Sequence, residues 1–258
     1  MPRDAGGPVT VPGGRVLVSD PAGVPRDAGG PVTVPGGRVL VSDPAGVPRD
    51  AGGPVTAPPQ GRVLVIACGA LARELAAITA ELGGLDFECL PARLHNRPEQ
   101  IPEAVRRRVR AARGTYDSIL VGYMDCGTGG GLDRVCAEEG VERLPGAHCY
   151  ELYAGPERFA ALGEEELGTF YLTDYLVRHF DRLILEGLGI AEHPELRDLY
   201  FGNYTRVVHL VQDPDAALET AARCAAASLG LRYERIEVGV AGLAAPLQAR
   251  RRLAVRAA

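Results

Sequence analysis

Residues 118–131 read SILVGYMDCGTGGG. Ile119, Leu120 and Val121 form a continuous apolar run after the turn residues Gly114 and Asp117, which predicts a buried strand. The run then breaks into Asp125-Cys126-Gly127-Thr128 and three glycines. A buried strand that hands over to a glycine loop points to an open α/β sheet, where ligands bind outside the carboxyl ends of the strands.

The rest of the chain supplies the expected companions. Arg62–Ala67 predicts a buried strand ending at Cys68-Gly69, and Ala70–Leu82 carries Leu71, Leu75, Ile78 and Leu82 at helical spacing. Leu85–Leu90 predicts a second strand, followed by a loop with His95. Pro98 to Arg113 predicts a helix with Ile101, Val105, Val109 and Ala112 inward and its arginines in solvent. A helical piece at Leu132–Glu139 leads to a fourth strand, Val141–Leu144, and then to His148-Cys149. Further on come a helix over 156–163, an extended turn from Leu167 with a helix from Thr173, a helix over His193–Tyr204, a strand over Arg206–Val211, a helix over Pro214–Leu229 and a strand over Leu231–Val238. Strands alternating with helices predict an α/β fold: an open, mostly parallel, Rossmann-like sheet with helices on both faces. The domain spans 61–248, divisible into lobes of about 61–155 and 156–248, with a frayed tail at 249–258.

The first 60 residues differ in kind. Residues 2–23 recur unchanged at 25–46, a period of 23, and a third copy from Pro48 runs on, altered, into the first strand of the domain. Each copy offers one Val-Leu-Val run among prolines and glycines, too little apolar surface to offset the entropy of ordering it. Residues 1–60 are therefore expected to be a disordered tandem repeat. Met1 stands where the later copies have Val24 and Val47, which suggests a start codon assigned upstream of the domain's own.

Composition excludes several classes. All 28 basic residues are arginine, so Schiff-base chemistry and a P-loop lysine are absent. The four serines at 19, 42, 118 and 228 lie in no G-x-S-x-G elbow. A net charge of −5 argues against nucleic acid as a partner. No apolar run has the length of a membrane span and no signal peptide is visible, so a cytoplasmic protein with no membrane partner is expected. In that reducing compartment the six cysteines are thiols or ligands, not disulfides.

Cys68, His95, Cys126 and His148-Cys149 follow four successive strands. If those strands are parallel neighbours, these side chains share one edge of the sheet. Thiolates with imidazole suit zinc, or an iron–sulfur cluster on three cysteines, with Cys68, His95, Cys126 and Cys149 as ligands. The plain alternative is that the cysteines are small buried residues, and it applies most to Cys89, Cys136 and Cys224. A metal-free enzyme would use Cys126 as nucleophile, with His95 or His148 as base. A third reading is a nucleotide loop of the S-adenosylmethionine type, with Asp125, Gly127, Gly129 and Gly130 binding the cofactor. The short helix that follows and the two βα units that precede the loop count against it.

The segments IACGAL (66–71), CLPARLHNRPEQIPEAV (89–105), ILVGYMDCGTGGGLD (119–133), PGAHCYELYAGPERF (145–159), LGTFYLTDYLVRHFDRL (167–183) and HPELRDLYFGNYTRVVHL (193–210) occur in the order seen in an uncharacterised bacterial and archaeal family. The chain resembles that family, number 1638 among the domains of unknown function, from about Arg62 to Val238. Its Cys-Gly element corresponds to Cys126-Gly127 after Tyr123-Met124, with Met124 where glycine is common, and its His-Cys element to His148-Cys149. The resemblance implies a small-molecule ligand in one-carbon metabolism, with a corrinoid or methyl-transfer protein as partner. It leaves open an enzyme or a non-catalytic metal-binding accessory protein.

Overall fold

The computed structural model describes residues 16–19, 40–42 and 61–257. Within the repeats, β1 (Val16–Ser19) and β2 (Leu40–Ser42) are strands. The rest of the stretch expected to be disordered lies outside the described residues. The domain begins with β3 (Val63–Cys68), buried along its whole length, and continues through α1 (Ala72–Leu82), β4 (Leu85–Leu90), α2 (Ile101–Ala112), β5 (Ser118–Gly122), α3 (Gly131–Glu139) and β6 (Glu142–Arg143). All pairings are parallel, in the order β2-β1-β4-β3-β5-β6. The chain thus leaves β3 on one side to make β4, then crosses to the other side to make β5.

The repeat strands join this sheet because they copy the sequence of β3. Val16-Leu17-Val18 pairs with Phe87-Glu88-Cys89 along the outer edge of β4, the strand whose inner edge pairs with β3 itself.

Helix boundaries follow local chemistry. In α2, Ile101, Val105 and Val109 are buried while the arginine face is outward, and Pro102 sits in the first turn, where a missing N–H costs nothing. α3 lies between two left-handed glycines, Gly130 and Gly140, which start and stop it cleanly. Gly122 closes β5 against β3. A Cβ there would come within 2.8 Å of the Ala67 Cβ, so only glycine lets the strands approach.

The chain divides into two compact units, residues 1–147 with 246–258, and 148–245. The second contains α4 (Cys149–Ala154), α5 (Pro156–Glu165), β7 (Thr169–Thr173), α6 (Asp174–Arg178), a π-helical stretch at Asp181–Glu186, α7 (Leu196–Phe201), β8 (Arg206–Val211), α8 (Ala216–Leu229) and β9 (Arg232–Glu237). Here β7, β8 and β9 make a separate parallel sheet in that order. On one face Leu172 and Val207 pack with Leu218, Ala222 and Ala226 of α8; on the other, Val208, Leu210 and Ile236 pack with Leu162.

The fold is therefore α/β with parallel sheets, but the strands make two sheets, not one. Residues 169–173 are a strand where an extended turn was expected. The tail is not frayed: α9 (Ala241–Ala257) runs through it, Leu247 is fully buried, and Arg250 bonds Ser118 Oγ at 2.8 Å and Glu142 at 2.7 Å.

Candidate functional site

Parallel pairing brings the ends of β3, β4 and β5 to one edge. Cys68 is the last residue of β3 and pairs with Leu90, the last of β4. One step beyond the Ala67–Gly122 pair come Cys68 and Tyr123. His95 reaches the same place from the short helical turn Ala92–Asn96 after β4.

Cys68 and His95 meet, with Sγ and Nδ1 3.6 Å apart. Cys68 also caps the turn after its strand, its sulfur accepting from the Ala70 N–H at 3.3 Å. The His95 Nδ1 lies 3.3 Å from the Ala92 carbonyl, and its ring is stacked over Tyr123 at 6.1 Å and 18°. Burial pushes the Cys68 thiol up to about 12, and the nearby Cys126 adds to that shift. Loss of water around His95 lowers its pKa and favours the neutral imidazole. Cys126, half-buried, is pushed up to about 11 by the same loss of solvation. None of the six cysteines is in a disulfide.

Tyr123 was missed as a site residue. It is fully buried, and its hydroxyl approaches Cys68 without closing a well-formed hydrogen bond to any atom. Burial, then Cys68, Cys89 and Cys126, push its pKa well above the ordinary phenol value, so it stays a proton donor. Its position directly after β5, three residues before Cys126, was the available signal.

The glycine loop is tied to itself. Cys126 has φ 51°, the one positive value at a non-glycine among the described residues, and Gly127, Gly129 and Gly130 are also left-handed. Asp125 accepts from Thr128 Oγ at 2.7 Å, Gly130 N–H at 3.0 Å and Gly129 N–H at 3.3 Å. These bonds, the Gly130 amide first, hold its carboxyl below the usual range. The Asp125 and Cys126 amides donate to the carbonyls of Gly146 and Ala147 at 3.1 and 2.8 Å, and the Thr128 and Gly131 amides are taken within the loop. Little of the backbone is left to cradle an oxyanion or a nucleotide.

His148 and Cys149 belong to the second unit. His148 caps α4, with its ring against Tyr150 at 5.0 Å and Phe159 at 5.1 Å and a buried Nδ1 that has no partner. Loss of solvation lowers its pKa. Cys149, half-buried, begins α4. Cys89 and Cys136 are buried and Cys224 is exposed.

Among the described residues, no group of three or more His, Cys, Asp or Glu side chains is drawn together tightly enough to hold a metal ion. The pair Cys68–His95 is formed, and Cys126 is near enough to act on the Cys68 thiol electrostatically. A shallow cleft of about 280 Å³, lined by Arg113, Tyr116, Ser118 and Arg250 among others, lies at the amino end of β5, remote from the thiols. Its arginines are already paired with Glu139 and Glu142. No described helix is long and apolar enough to cross a membrane.

No curated protein and no solved structure matches the chain. Residues 89–247 match the family described as protein of unknown function (DUF1638), a segment that includes His95, Tyr123, Cys126 and Cys149 and begins after Cys68. That match covers more than half of the chain, which therefore belongs to the DUF1638 family.

Proposed function

We propose that the carboxyl edge of β3, β4 and β5 is a small-molecule site whose chemistry is supplied by one thiophilic divalent metal ion of the zinc type. Cys68 and His95 hold the ion, and Cys126 joins them by turning its side chain. The observation that carries this reading is the 3.6 Å between Cys68 Sγ and His95 Nδ1. Zn–S near 2.3 Å and Zn–N near 2.0 Å put two tetrahedral ligands about 3.5 Å apart, so the pair is already spaced as an edge of such a site. A cubane cluster would hold its thiolates farther apart, each on its own iron, and gains no support from a thiol–imidazole contact.

The strand order favours a ligand at this place. The order β4-β3-β5-β6, with β4 and β5 on opposite sides of β3, supports reading the first unit as a Rossmann-like sheet. In such sheets ligands bind where the chain reverses direction, between the ends of β3 and β5. Cys68 and Tyr123 stand on the two sides of that point.

A metal-free cysteine nucleophile is less well supported. Cys126 is pushed up to about 11, its own amide is spent on Ala147, and most neighbouring amides are committed within the loop. The same bonds engage both Asp125 oxygens within the loop, which counts against a ribose contact. Whether the chain turns over a small molecule, as in corrinoid-linked one-carbon metabolism, or docks on a methyl-transfer partner without turnover, is decided by assaying both.

The first experiment is elemental analysis with an absorption spectrum of anaerobically purified protein. About one zinc per chain and no colour supports the reading. A brown protein with iron and sulfide overturns it in favour of a cluster, and a metal-free protein that takes up neither zinc nor cobalt overturns it altogether.

A further inference from the structure

The second unit contains a line of three titratable side chains that the site above does not use. Asp174 opens α6 directly after β7, His209 lies in β8, and Tyr233 lies in β9, the strand paired with β8. Asp174 and His209 are both buried. Asp174 Oδ1 stands 2.9 Å from His209 Nε2, and His209 Nδ1 stands 3.3 Å from the Tyr233 hydroxyl. A carboxylate only accepts, so it draws the imidazole proton to Nε2 and leaves a lone pair on Nδ1 facing the phenol O–H. A hydroxyl in reach of an imidazole base, with that base oriented by a third group, is the arrangement that activates a weak nucleophile. Tyr233 is also placed to be reached. It is half-buried in β9, an outer strand of its sheet. The exposed Arg223 of α8 lies over its ring, 4.6 Å from the centroid, and Arg235 stands two residues on, on the same face of β9.

We propose that Tyr233 is a nucleophile that takes an acyl group from an activated ester or thioester, with His209 as its base and Asp174 orienting that base. The proposal shares no residue with the metal reading and stands or falls without it. Loss of solvation, then Glu219, raises the Tyr233 pKa against the pull of Arg223 and Arg235. A phenolate is therefore not held ready, and the proton has to leave as the attack proceeds. In the step, the phenol oxygen bonds the carbonyl carbon of the donor while its proton passes to His209 Nδ1. The carbon–oxygen or carbon–sulfur bond to the leaving group then breaks, and the departing oxygen or sulfur takes the proton from Nδ1. The products are an acyl-tyrosine and a free alcohol or thiol, and no oxidant or reductant is consumed. The imidazole is cationic in between, and the Asp174 carboxylate beside Nε2 stabilises it.

The test treats the full-length chain with p-nitrophenyl acetate and measures, by peptide mass mapping over time, the acetyl group on each tyrosine. The chain has no lysine, so no side-chain amine competes for the reagent. Tyr200, exposed on α7, is the internal reference for an unassisted phenol. The expected result is that Tyr233 is acetylated much faster than Tyr200, although it is the less exposed of the two. Tyr233→Phe, which keeps the ring and its packing, carries no acetyl at that position and releases correspondingly less p-nitrophenolate. Asp174→Asn is the decisive variant. Its amide NH₂ donates to Nε2, so the imidazole proton moves to Nδ1 and His209 no longer accepts from Tyr233. Acetylation of Tyr233 then falls by about 10²–10⁴-fold, the range for a lost general base, while Tyr200 reacts as before. Two outcomes overturn the proposal. One is Tyr233 in the parent reacting no faster than Tyr200. The other is Asp174→Asn acetylated on Tyr233 at the parent's rate, which would show that the phenol acts without its base.

Discussion

Cys68 Sγ stands 3.6 Å from His95 Nδ1 across the ends of two parallel strands, although 27 residues separate them in the chain. The contact needs no long-range accident. β3 and β4 are neighbours in register from Val63–Leu85 to Cys68–Leu90, and the turn after β4 folds back over the end of β3. Removing either side chain should therefore disable metal binding without disturbing the sheet. Cys68→Ala and His95→Ala are each expected to weaken zinc binding by more than the roughly 10–100-fold that loss of an outer partner costs. Cys136→Ala, on the far helix, should bind as the parent does. Zinc retained at full affinity by Cys68→Ala refutes the assignment.

Glu139 ends α3 beside Arg106 and Arg110 of α2 and Arg113 just after it. Arg110 and Arg113 contact its carboxylate at 2.7 and 3.0 Å and Arg106 at 3.3 Å. Arg110 first, then Arg113, pull its pKa down to about 2 from an ordinary 4.5. A carboxylate whose folded pKa is depressed contributes stability above its unfolded value and loses it as pH falls through the folded one. The parent should thus lose melting temperature between pH 4.5 and 2 more steeply than Glu139→Gln, which is less stable at neutral pH and converges with the parent in acid. Parallel curves for the two proteins would show that the cluster adds nothing.

Asp125 has its two oxygens bonded to Thr128, Gly129 and Gly130. Asp125→Ala leaves two amides of the tight turn without acceptors and removes the lock on left-handed Cys126. A loss of about 1–2 kcal/mol, the usual range for losing such a cap, is expected in urea denaturation. S-adenosylmethionine should show no heat of binding in either protein. Binding at micromolar concentration by the parent, abolished in Asp125→Ala, would restore the nucleotide-loop reading.

The strand ends were legible because each apolar run stops abruptly at a residue with chemistry: Cys68 after VLVIA, His95 four residues beyond Pro91, Cys126 past the Gly122 end of β5. Tyr123 was legible only by its place directly after β5. A tyrosine after a strand reads as ordinary packing until its hydroxyl is known to lack a partner, and that depends on what three other segments place around it. The stretch before Thr173 was read as extended, but as a turn and not as β7, because Thr169–Thr173 runs without a break into the turn of α6. The tail was read as frayed, yet the buried Leu247 and the bonds of Arg250 show that α9 has specific partners. Two sheets instead of one is a matter of which edge each strand chooses, and an apolar run carries no mark of its neighbour.

A chain that starts at Pro58 should keep its melting temperature within a few degrees. It loses β1 and β2, four- and three-residue edge strands. Each hydrogen bond there is worth about 1 kcal/mol net at most, against the entropy of closing the long connections to β3. A drop of many degrees would mean that the repeat strands are an integral part of the sheet.

Asp174 and His209 are both buried in the second unit, with Oδ1 2.9 Å from Nε2. The other Asp174 oxygen accepts the Asp213 N–H at 2.9 Å, and His209 Nδ1 faces the Tyr233 hydroxyl at 3.3 Å. The arrangement fixes the tautomer: Nε2–H donates to Asp174, and Nδ1 accepts from Tyr233. Asp174→Ala strands a buried imidazole N–H and the Asp213 amide together, and each buried donor left unsatisfied typically costs about 1–3 kcal/mol. Asp174→Asn should be much milder. Its oxygen can keep the Asp213 bond while its NH₂ donates to Nε2, if the imidazole shifts its proton to Nδ1 and Tyr233 becomes the acceptor. The expected order in urea denaturation is parent, then Asp174→Asn at a cost of about 1 kcal/mol for the neutral bonds that replace charge-assisted ones, then Asp174→Ala. Nitrogen-15 spectra of the imidazole should show the protonated nitrogen change from Nε2 to Nδ1 in Asp174→Asn. Equal losses in the two variants, with Nε2 still protonated in Asp174→Asn, would refute the tautomer switch and leave His209 held by shape alone.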